Sequence, residues 1–523
     1  MSKRTVTEVQ TSNDGQAFSK VPTNAARRDS SANNVEMGEF EDAWEDEIES
    51  DEEVVNGEGN DEGMDIDEEV LPPIEESEEH QQQQKESEQK KVYIPGRHIL
   101  EKDEILEPDD SVYIMRHTMN LNWPCLSFDV LRDNLGDERQ RYPATAYIVA
   151  GSQASIAKNN ELSVCKMTSL HKTQKDGNDS DSESDEDEDV ENLDEDAVLE
   201  YRSIPHFGGI NRIRAQPLPP LTSLPPVTSP YYVATWADTG KVHIHDIRPL
   251  IESLDVPGYT VDKKRTNTPK YTINAHGRAE GFAMDWAAES SNPSALRLLT
   301  GDIHSKIYLT TTTQSGFQTQ TQPFTSHTSS VEDIQWSPSE STVFASCSAD
   351  QSVRVWDIRM KTRKNALTVS PAHESDVNVI SWNKMTSFLL LSGGDEGGIK
   401  VWDLRNISNT TPVPAPVASF SWHKAPITSI EWHPTEDSIF AASGADNQLT
   451  LWDLAVEQDD EETGAAMEDD SNPQKENDNV PPQLLFVHQG QKDVKEVHWH
   501  PQIPGAVIST ALDGFNIFKT ISV

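Results

Sequence analysis

Short runs of alternating apolar and polar residues, separated by turn residues, recur through the second half of the chain. In one clear unit, alternation runs through 331–336 and stops at Ser337 and Pro338. A second run covers 342–348, and after a three-residue turn a third covers 352–357. Runs of this length and period predict short, half-buried β-strands. A sheet of about four such strands cannot bury both of its faces alone, so neighbouring units must stack.

This unit occurs three times between residues 327 and 453, and its internal spacing does not change. A His is followed nine residues later by a Trp and twenty-nine residues later by a Trp-Asp pair. Repeats of about 40 to 45 residues that end in Trp-Asp are typical of β-propeller blades, and the chain therefore resembles the WD-repeat proteins. In that family the matching His, Ser, Asp and Trp form a buried hydrogen-bond chain that locks each blade. The matching residues here are His327, Asp350, Trp356, His373, Asp395, Trp402, His423, Asp446 and Trp452.

Weaker copies of the unit precede and follow these three, which predicts an all-β, seven-bladed WD-repeat propeller over residues 92–523. The last blade lacks one strand, whereas 111–118 forms a spare strand near the start of that region. A ring has no exposed edges only if it closes, so we expect 111–118 to pair with 515–520. Two acidic insertions, 173–196 and 457–482, then fall between the third and fourth strands of their blades. They are expected to leave the ring on the same face.

Charge is concentrated in three segments. The formal net charge is −46 and the hydrophobic content is 35%. Residues 36–79, 176–200 and 457–478 contribute −22, −14 and −9, so the remainder of the chain is close to neutral. Residues 1–91 also contain few aromatic side chains, and we expect them to form a disordered acidic arm. A short helix is expected at 97–107, where the ordered region begins.

Each clear unit holds a His, a Ser and an Asp, the residue types that a hydrolase also needs. A nucleophile requires one exposed constellation with an oxyanion site, and not one set repeated in every blade. We therefore predict that the protein is not an enzyme. The second and third units lack a clear Ser at one place, Leu391 and Ala442, which predicts weaker hydrogen-bond chains there.

No metal, cofactor or membrane site is predicted. His243 and His245, and likewise His498 and His500, alternate along strands, but no third ligand has suitable spacing. No glycine-rich phosphate loop is present. There is no apolar run of about eighteen residues and no signal peptide. The three cysteines show no pairing pattern, which favours a soluble protein of a reducing intracellular compartment.

The acidic segments are the main functional signal. Blocks of like charge remain unfolded and often serve as interaction segments. On a near-neutral body they favour a basic partner and disfavour direct binding of nucleic acid, although they also fit a role in solubility alone. The protein is expected to be monomeric. Ser180, Ser182 and Ser184 each precede an acidic residue by three positions, which suits an acid-directed kinase. The candidate client-binding residues are Asp185, Glu186, Asp187, Glu188, Asp189, Asp459, Asp460, Glu461 and Glu462.

Two families of WD-repeat proteins share further motifs with the chain. The segment 120–127, Asn-Leu-Asn-Trp-Pro-Cys-Leu-Ser, is similar to the motif before the first blade of the histone-binding WD-repeat family. The acidic loop 457–486 also resembles a loop that forms a histone groove in that family. The chain resembles the glutamate-rich WD-repeat proteins of ribosome assembly more closely, in segments 92–96, 124–129, 135–137 and 150–154.

The second resemblance implies a nuclear and nucleolar chaperone with some capture of its client in the cytoplasm. It would escort a basic ribosomal protein, the third of the large subunit, to nascent pre-60S ribosomes. The first implies a histone chaperone in chromatin assembly, with histones as the partner. A third interpretation rests on 356–359 and 402–405, which resemble the Trp-Asp-x-Arg motif of substrate receptors for cullin-RING ubiquitin ligases. We expect the ribosomal function, without a cofactor.

Overall fold

The computed structural model describes residues 108–173, 196–218, 224–289, 292–407, 414–456 and 480–523. Nearly every element in these ranges is a short strand. The expected helix at 97–107 and the expected arm at 1–91 lie outside the described residues.

The strands form seven blades of four. The first strand is β1 (Tyr113–Met119), and blade 1 contains β2 (Cys125–Leu131), β3 (Ala144–Ser152), β4 (Asn160–Leu170) and β5 (Val198–His206). Blade 2 contains β6 (Ile210–Ala215), β7 (Tyr232–Ala237), β8 (Val242–Asp246) and β9 (Tyr271–Ile273). Blade 3 contains β10 (Gly281–Glu289), β11 (Asn292–Asp302), β12 (Ile307–Thr313) and β13 (Gly316–Thr319).

The remaining blades contain the clear repeats and the end of the chain. Blade 4 contains β14 (Val331–Trp336), β15 (Val343–Ser348), β16 (Val353–Asp357) and β17 (Asn365–Val369). Blade 5 contains β18 (Val377–Trp382), β19 (Leu389–Gly394), β20 (Ile399–Asp403) and β21 (Ala418–Phe420). Blade 6 contains β22 (Ile427–Trp432), β23 (Ile439–Gly444), β24 (Leu449–Asp453) and β25 (Leu484–His488). Blade 7 contains β26 (Glu496–Trp499), β27 (Ala506–Ala511) and β28 (Gly514–Thr520), with β1 as its outer strand.

The pairing of β1 with β28 closes the ring. The two strands are antiparallel, with Tyr113 opposite Thr520 and Met119 opposite Phe515. The sequence-based prediction of the closing strand is confirmed, with bounds shifted by one or two residues. Because the outer strand of blade 7 comes from the other end of the propeller sequence, the ring is held by main-chain hydrogen bonds between its two ends.

The first strand of each blade lies at the centre of the ring and bonds to the first strand of the next blade. The Asp285 carboxylate accepts a 2.8 Å hydrogen bond from the Trp336 backbone N–H, and the Trp336 indole donates to the Asp285 carbonyl. Ser381 and Trp432 form the same pair of bonds between blades 5 and 6. The first Trp of the repeat therefore joins neighbouring blades.

The second Trp of the repeat packs inside the wall of the ring. In blade 4 the rings of Phe344 and Trp356 stack with centroids 5.7 Å apart, and in blade 6 Phe440 and Trp452 stack at 6.0 Å. All four side chains are fully buried. Full burial of a large apolar side chain stabilises a fold by roughly 1.5–3 kcal/mol, so these pairs hold each sheet against its neighbour.

Blade 2 has two helices in the connection between its third and fourth strands. The connection contains helix α1 (Arg248–Asp255) and the short helix α2 (Lys263–Thr266). Leu250 and Ile251 of α1 are buried in a cluster with Tyr147 of blade 1. The connection is therefore packed against the neighbouring blade.

In the part of the chain that the structure describes, no helix is long and apolar enough to cross a membrane. Within the same ranges, no group of His, Cys, Asp and Glu side chains is arranged to hold a metal ion. The three cysteines are free and buried.

Candidate functional site

The hydrogen-bond chain predicted from the repeat is complete in blade 4. The side chain of His327 is fully buried, with Nδ1 3.0 Å from Asp350 and Nε2 2.7 Å from the hydroxyl of Ser346. The same hydroxyl accepts a hydrogen bond of 2.8 Å from the Trp356 indole. The chain therefore ties the turn before the third strand to the middle of the sheet.

In blade 5 the carboxylate of the hydrogen-bond chain is not the one that the sequence predicts. His373 Nδ1 lies 2.5 Å from Glu396, and the predicted Asp395 is exposed one residue earlier in the turn. The acid follows the His by 23 residues here and in blades 4 and 6. The prediction of Asp395 was wrong because it favoured residue type over this constant spacing.

The hydroxyl of blade 5 is also present, contrary to the expectation drawn from Leu391. Ser392 lies 2.7 Å from His373 Nε2 and accepts a 2.8 Å hydrogen bond from the Trp402 indole. Leu391 is a neighbouring strand residue whose side chain points to the other face of the sheet. The chain of blade 5 is therefore as complete as that of blade 4.

Blade 6 supplies its hydroxyl from a different strand. Ala442 occupies the Ser position of β23, and Thr450 stands directly opposite it on β24. The Thr450 hydroxyl lies 2.9 Å from His423 Nε2 and accepts a 2.8 Å bond from the Trp452 indole. Asp446 lies 3.0 Å from His423 Nδ1, as predicted. The hydroxyl that Ala442 lacks is thus supplied by Thr450 on the paired strand, so the hydrogen-bond chain of blade 6 is complete.

Related chains occur in blades that lack a clear repeat. In blade 3, His276 lies 2.8 Å from both Asp302 and Thr300. His206, at the end of β5, lies with its Nε2 3.1 Å from the Thr235 hydroxyl of blade 2. These histidines were not assigned as locks from the sequence because their blades lack the terminal Trp-Asp pair.

Protonation in these chains suits a structural role. Burial lowers the pKa of His327 and outweighs the opposing effect of Asp350. Burial alone would raise the pKa of Asp350, but the hydrogen bond from His327 holds it below its usual value. A neutral imidazole that donates through Nδ1 to a carboxylate leaves Nε2 free to accept the Ser346 hydroxyl proton. Each hydrogen-bond chain of His, carboxylate, hydroxyl and Trp therefore stabilises one blade.

The centre of the ring contains a charge cluster that sequence reasoning missed. Glu496 of blade 7 is 1% exposed and accepts hydrogen bonds from Ser127 and the Phe128 N–H of blade 1. It also accepts bonds of 2.7 and 2.6 Å from Arg212 and Arg214 of blade 2. One carboxylate therefore joins three blades across the point where the ring closes.

His498 extends the cluster to blade 6. Its Nδ1 lies 3.0 Å from Glu431, and its Nε2 lies 3.6 Å from Glu496. Burial would lower the pKa of His498, but the two carboxylates raise it to about 10. Burial would raise the pKa of Glu496, yet the Arg214 and Arg212 guanidiniums hold it well below its usual value. His498 is thus an imidazolium at neutral pH.

The ring has two faces that differ in what they carry. Strands within a blade are antiparallel, so the connections between third and fourth strands all lie on one face, here named the insertion face. The acidic insertions follow β4 in blade 1 and β24 in blade 6, both at this face. The chain also enters β1 at this face, because Tyr113 pairs with the end of β28. The opposite face carries the lock histidines and is named the lock face.

The two acidic insertions attach to blades 1 and 6, on either side of blade 7, where β1 begins. The N–H of Thr173, where the first insertion begins, donates a 2.9 Å bond to the Ile114 carbonyl of β1. Tyr113 of β1 lies 2.8 Å from His488 of β25, the strand that follows the second insertion. The expectation that both insertions leave the same face is confirmed for their attachment points. The candidate client-binding residues 185–189 and 459–462 lie outside the described residues.

The described surface beside these attachment points is partly apolar. Leu135, Val198, Val480 and Ile521 are 56%, 48%, 37% and 61% exposed. All four lie in connections or ends on the insertion face of blades 6, 7 and 1. Exposed apolar side chains next to charged segments are a common feature of protein-binding surfaces.

The two Trp-Asp-x-Arg segments form local ion pairs at the end of their strands. Arg359 lies 2.7 Å from Asp357, and Arg405 lies 2.7 Å from Asp403. Both guanidiniums are more than half exposed. Each arginine therefore remains at the surface while it is held by the aspartate two residues earlier.

Comparison with known proteins identifies the family of the chain. The family model "WD domain, G-beta repeat" matches residues 318–357, 364–403 and 414–453. The chain is 46% identical over 499 residues to "Ribosome assembly protein rrb1" of Schizosaccharomyces pombe, across 95% of this chain and 96% of that protein. It is 47% identical over 486 residues to "Glutamate-rich WD repeat-containing protein 1" of Dictyostelium discoideum, across 91% and 93% of the two chains. The chain belongs to the glutamate-rich WD-repeat family.

One further relative and a second family model also match the chain. It is 44% identical over 451 residues to "Protein HEAT STRESS TOLERANT DWD 1" of Arabidopsis thaliana, across 83% of this chain and 92% of that protein. The family model "Histone-binding protein RBBP4", which also covers a component of the CAF1 complex, matches residues 103–171. That match includes β1 and most of blade 1. Both family resemblances noted in the sequence are therefore present.

Proposed function

We propose that this protein is a chaperone of ribosome assembly that binds a basic protein of the large ribosomal subunit and delivers it to pre-60S particles. The observation that carries the proposal is the attachment of the two acidic insertions to one face of blades 1 and 6, on either side of blade 7. Together with residues 36–79, the segments 176–200 and 457–478 carry −45 of the formal net charge of −46, so the rest of the chain is near neutral. The relative named as a ribosome assembly protein supports the role in ribosome assembly.

The physical role of the acidic segments is to compete with RNA for the client's lysines and arginines. Phosphate contacts dominate the binding of basic proteins to nucleic acid. Carboxylates that pair with these lysines and arginines keep the client from binding nucleic acid elsewhere. The insertion face also offers apolar side chains such as Val198 and Ile521 for specific contacts. The protein acts as a monomer, in the nucleus and nucleolus after capture in the cytoplasm, and catalyses no reaction.

A histone chaperone is the second candidate, since the histone-binding family model matches residues 103–171. Histones are also basic, so charge alone does not separate the two clients. A ubiquitin-ligase receptor is a third candidate, based on the exposed Arg359 and Arg405.

The test is a competition pull-down with the tagged full-length protein. Purified large-subunit ribosomal proteins, core histones and a cullin adaptor are offered together at physiological salt. We expect one ribosomal protein to be retained in preference to histones of equal charge. Preferential retention of histones, or of the adaptor, would replace the proposal with the corresponding alternative. Localisation of a fluorescent fusion to nucleoli is the expected accompanying result.

A further inference from the structure

Blades 2 to 5 carry opposite charge on their two faces. Between β6 and β21, the connections on the insertion face contain eleven basic and four acidic residues, which gives a formal charge of +7. The connections of the same blades on the lock face contain three basic and seven acidic residues, which gives −4. On a chain with a net charge of −46, this part of the insertion face is therefore a local basic surface.

The basic surface presents exposed side chains from three blades. Its main members, here named the basic arc, are Lys264 and Arg265 of α2 in blade 2, Arg359 and Lys361 of blade 4, and Lys384 and Arg405 of blade 5. The residues are exposed in every case, and the side chains of Arg359, Lys384 and Arg405 are 67%, 58% and 63% exposed. The arc is therefore accessible to a ligand that extends across several blades.

Arg405 is held as a fixed plane within the arc. Its Nε and Nη2 donate hydrogen bonds of 3.0 and 2.7 Å to Asp403, and its guanidinium carbon lies 3.4 Å from the ring centroid of Phe388. Because the ring covers one face of the guanidinium and the side chain is still 63% exposed, the other face is at the surface. Asp403 offsets much of the charge, so what Arg405 offers a ligand is mainly a flat, preorganised face.

Single-stranded RNA fits this combination of groups. Its phosphates pair with lysines and arginines regardless of sequence, and its unpaired bases stack on guanidinium planes. An acidic polypeptide offers carboxylates but no flat ring for Arg405. The acidic insertions attach to blades 1 and 6, outside the arc, and exposed charges are screened over about 8 Å at physiological ionic strength. The charge of the whole chain disfavours nucleic acid, as expected from the sequence, but the arc is a local exception.

We propose that the basic arc binds single-stranded RNA, with phosphates on its lysines and Arg265 and a base stacked on Arg405. In ribosome assembly this contact holds the chaperone against unpaired rRNA of the particle that receives the client. Exposed ion pairs are individually weak, so the contact is reversible and the chaperone leaves after delivery. The role in delivery rests on the proposed function, whereas the binding of RNA does not.

The binding is tested with full-length protein and no client. The probe is a fluorescein-labelled poly(U) of about 20 nucleotides, followed by anisotropy over a range of salt concentrations, and a Kd on the order of micromolar is expected at low salt. The variant Lys264→Gln/Arg265→Gln/Lys361→Gln removes three phosphate contacts and is expected to bind about tenfold more weakly. Its slope of log K against log salt should be shallower by about two, since each contact to a single strand contributes about 0.7. Absence of RNA binding by the wild type at low salt would overturn the proposal.

The matched control is Lys241→Gln/Arg278→Gln/Lys306→Gln. It removes two lysines and one arginine that are exposed in the lock-face connections of blades 2 and 3. The change in net charge equals that of the arc variant, but the substitutions lie on the opposite face, so the affinity is expected to fall by less than about twofold. Equal weakening by the two variants would show that binding follows net charge and not the arc, and would contradict the proposal.

Base stacking is tested by Arg405→Lys, which keeps the positive charge and removes the plane. Stacking of a base contributes about 1–3 kcal/mol, so the affinity for poly(U) is expected to fall at least about fivefold. Inorganic polyphosphate of the same length has no bases, and its affinity should not change. Equal losses with the two probes, or no loss with either, would contradict the stacking on Arg405.

Two further comparisons separate RNA from other partners and from the client. Tighter binding of polyglutamate than of poly(U) of equal charge would replace RNA with an acidic protein as the partner. Because no client is present in these measurements, failure of the pull-down with ribosomal proteins leaves the RNA result unchanged. Retention of the ribosomal protein without any binding of poly(U) would overturn the role of the arc alone.

Discussion

Thr450 stands opposite Ala442 in the ladder of blade 6 and supplies the hydroxyl that Ala442 lacks. The Thr450 side chain lies between the imidazole of His423 and the indole of Trp452. Two strands of one blade can therefore exchange the residue that completes the hydrogen-bond chain, because paired residues present side chains on the same face.

Thr450→Val is expected to destabilise the propeller, since it leaves two buried polar groups without a partner. The cost of such groups is about 1–3 kcal/mol. The measurement is the midpoint of denaturant unfolding, followed by fluorescence. Adding Ala442→Ser to Thr450→Val restores a hydroxyl at the position used in blades 4 and 5 and should recover most of the loss. If Thr450→Val unfolds at the wild-type midpoint, the bonds to His423 and Trp452 contribute nothing to stability.

Blade 5 allows a comparison of two adjacent acids. Glu396→Ala removes the partner of a fully buried imidazole and is expected to lower stability by about 1–3 kcal/mol. Asp395→Ala changes an exposed side chain and is expected to change stability by less than about 0.5 kcal/mol. Thermal unfolding of the two variants and the wild type checks the difference. Equal effects of the two substitutions would show that Glu396 is not the acid of the lock.

The charge cluster at the centre predicts a loss of stability at high pH. The folded-state pKa of His498 is raised to about 10 from an unperturbed 6.5. A raised pKa means that the contribution is fully present below 6.5 and is lost as the pH rises towards 10. One proton gives a slope of at most about 1.4 kcal/mol per pH unit in this window. His498→Gln should be less stable at pH 7 and should show a smaller decline between pH 7 and pH 10. Parallel pH profiles for the two proteins would contradict this assignment.

The acidic insertions are expected to control the rate at which the client is captured. Replacing Asp185–Asp189 and Asp459–Glu462 with Ser and Gln should slow association with the basic ribosomal protein and flatten its salt dependence. Exposed charges are screened over about 8 Å at physiological ionic strength, and charge steering acts mainly on the association rate. The melting temperature should stay unchanged, which serves as the control for folding. Identical association rates and identical salt dependence in the wild type and the variant would indicate that these segments serve solubility alone.

Two truncations test the boundary and closure of the propeller. A chain that starts at Val92 keeps β1 and should melt within a few degrees of the full-length protein. A chain that starts at Trp123 lacks β1, leaves the edge of β28 unpaired and should aggregate. Size-exclusion chromatography and thermal unfolding of both proteins provide the measurement. A monomeric, equally stable product of the shorter chain would mean that β1 does not hold the ring closed.

The sequence predicts the blades and the closure of the ring better than it predicts which side chains pair within and between the blades. Constant spacing around His327 and its equivalents identifies blades, and one surplus strand identifies the closing contact. The choice of Asp395 failed because the turn contains two adjacent acids and only the spacing of 23 residues distinguishes them. Thr450 was missed because its role depends on the partner across the ladder. The cluster around Glu496 was missed because its arginines are 282 and 284 residues away in the chain.

Closure by β1 and β28 has a consequence for synthesis of the protein. The two strands that complete blade 7 come from opposite ends of the propeller sequence, so the ring is finished only after Gly514–Thr520 has left the ribosome. Until then β1 has no partner, and the nascent chain presents an open strand edge together with its acidic segments. A prematurely terminated chain keeps that edge permanently. The unpaired strand edge thus distinguishes incomplete chains, and chaperones and proteases recognise such edges. Pairing of β28 with β1 covers the edge when translation is complete.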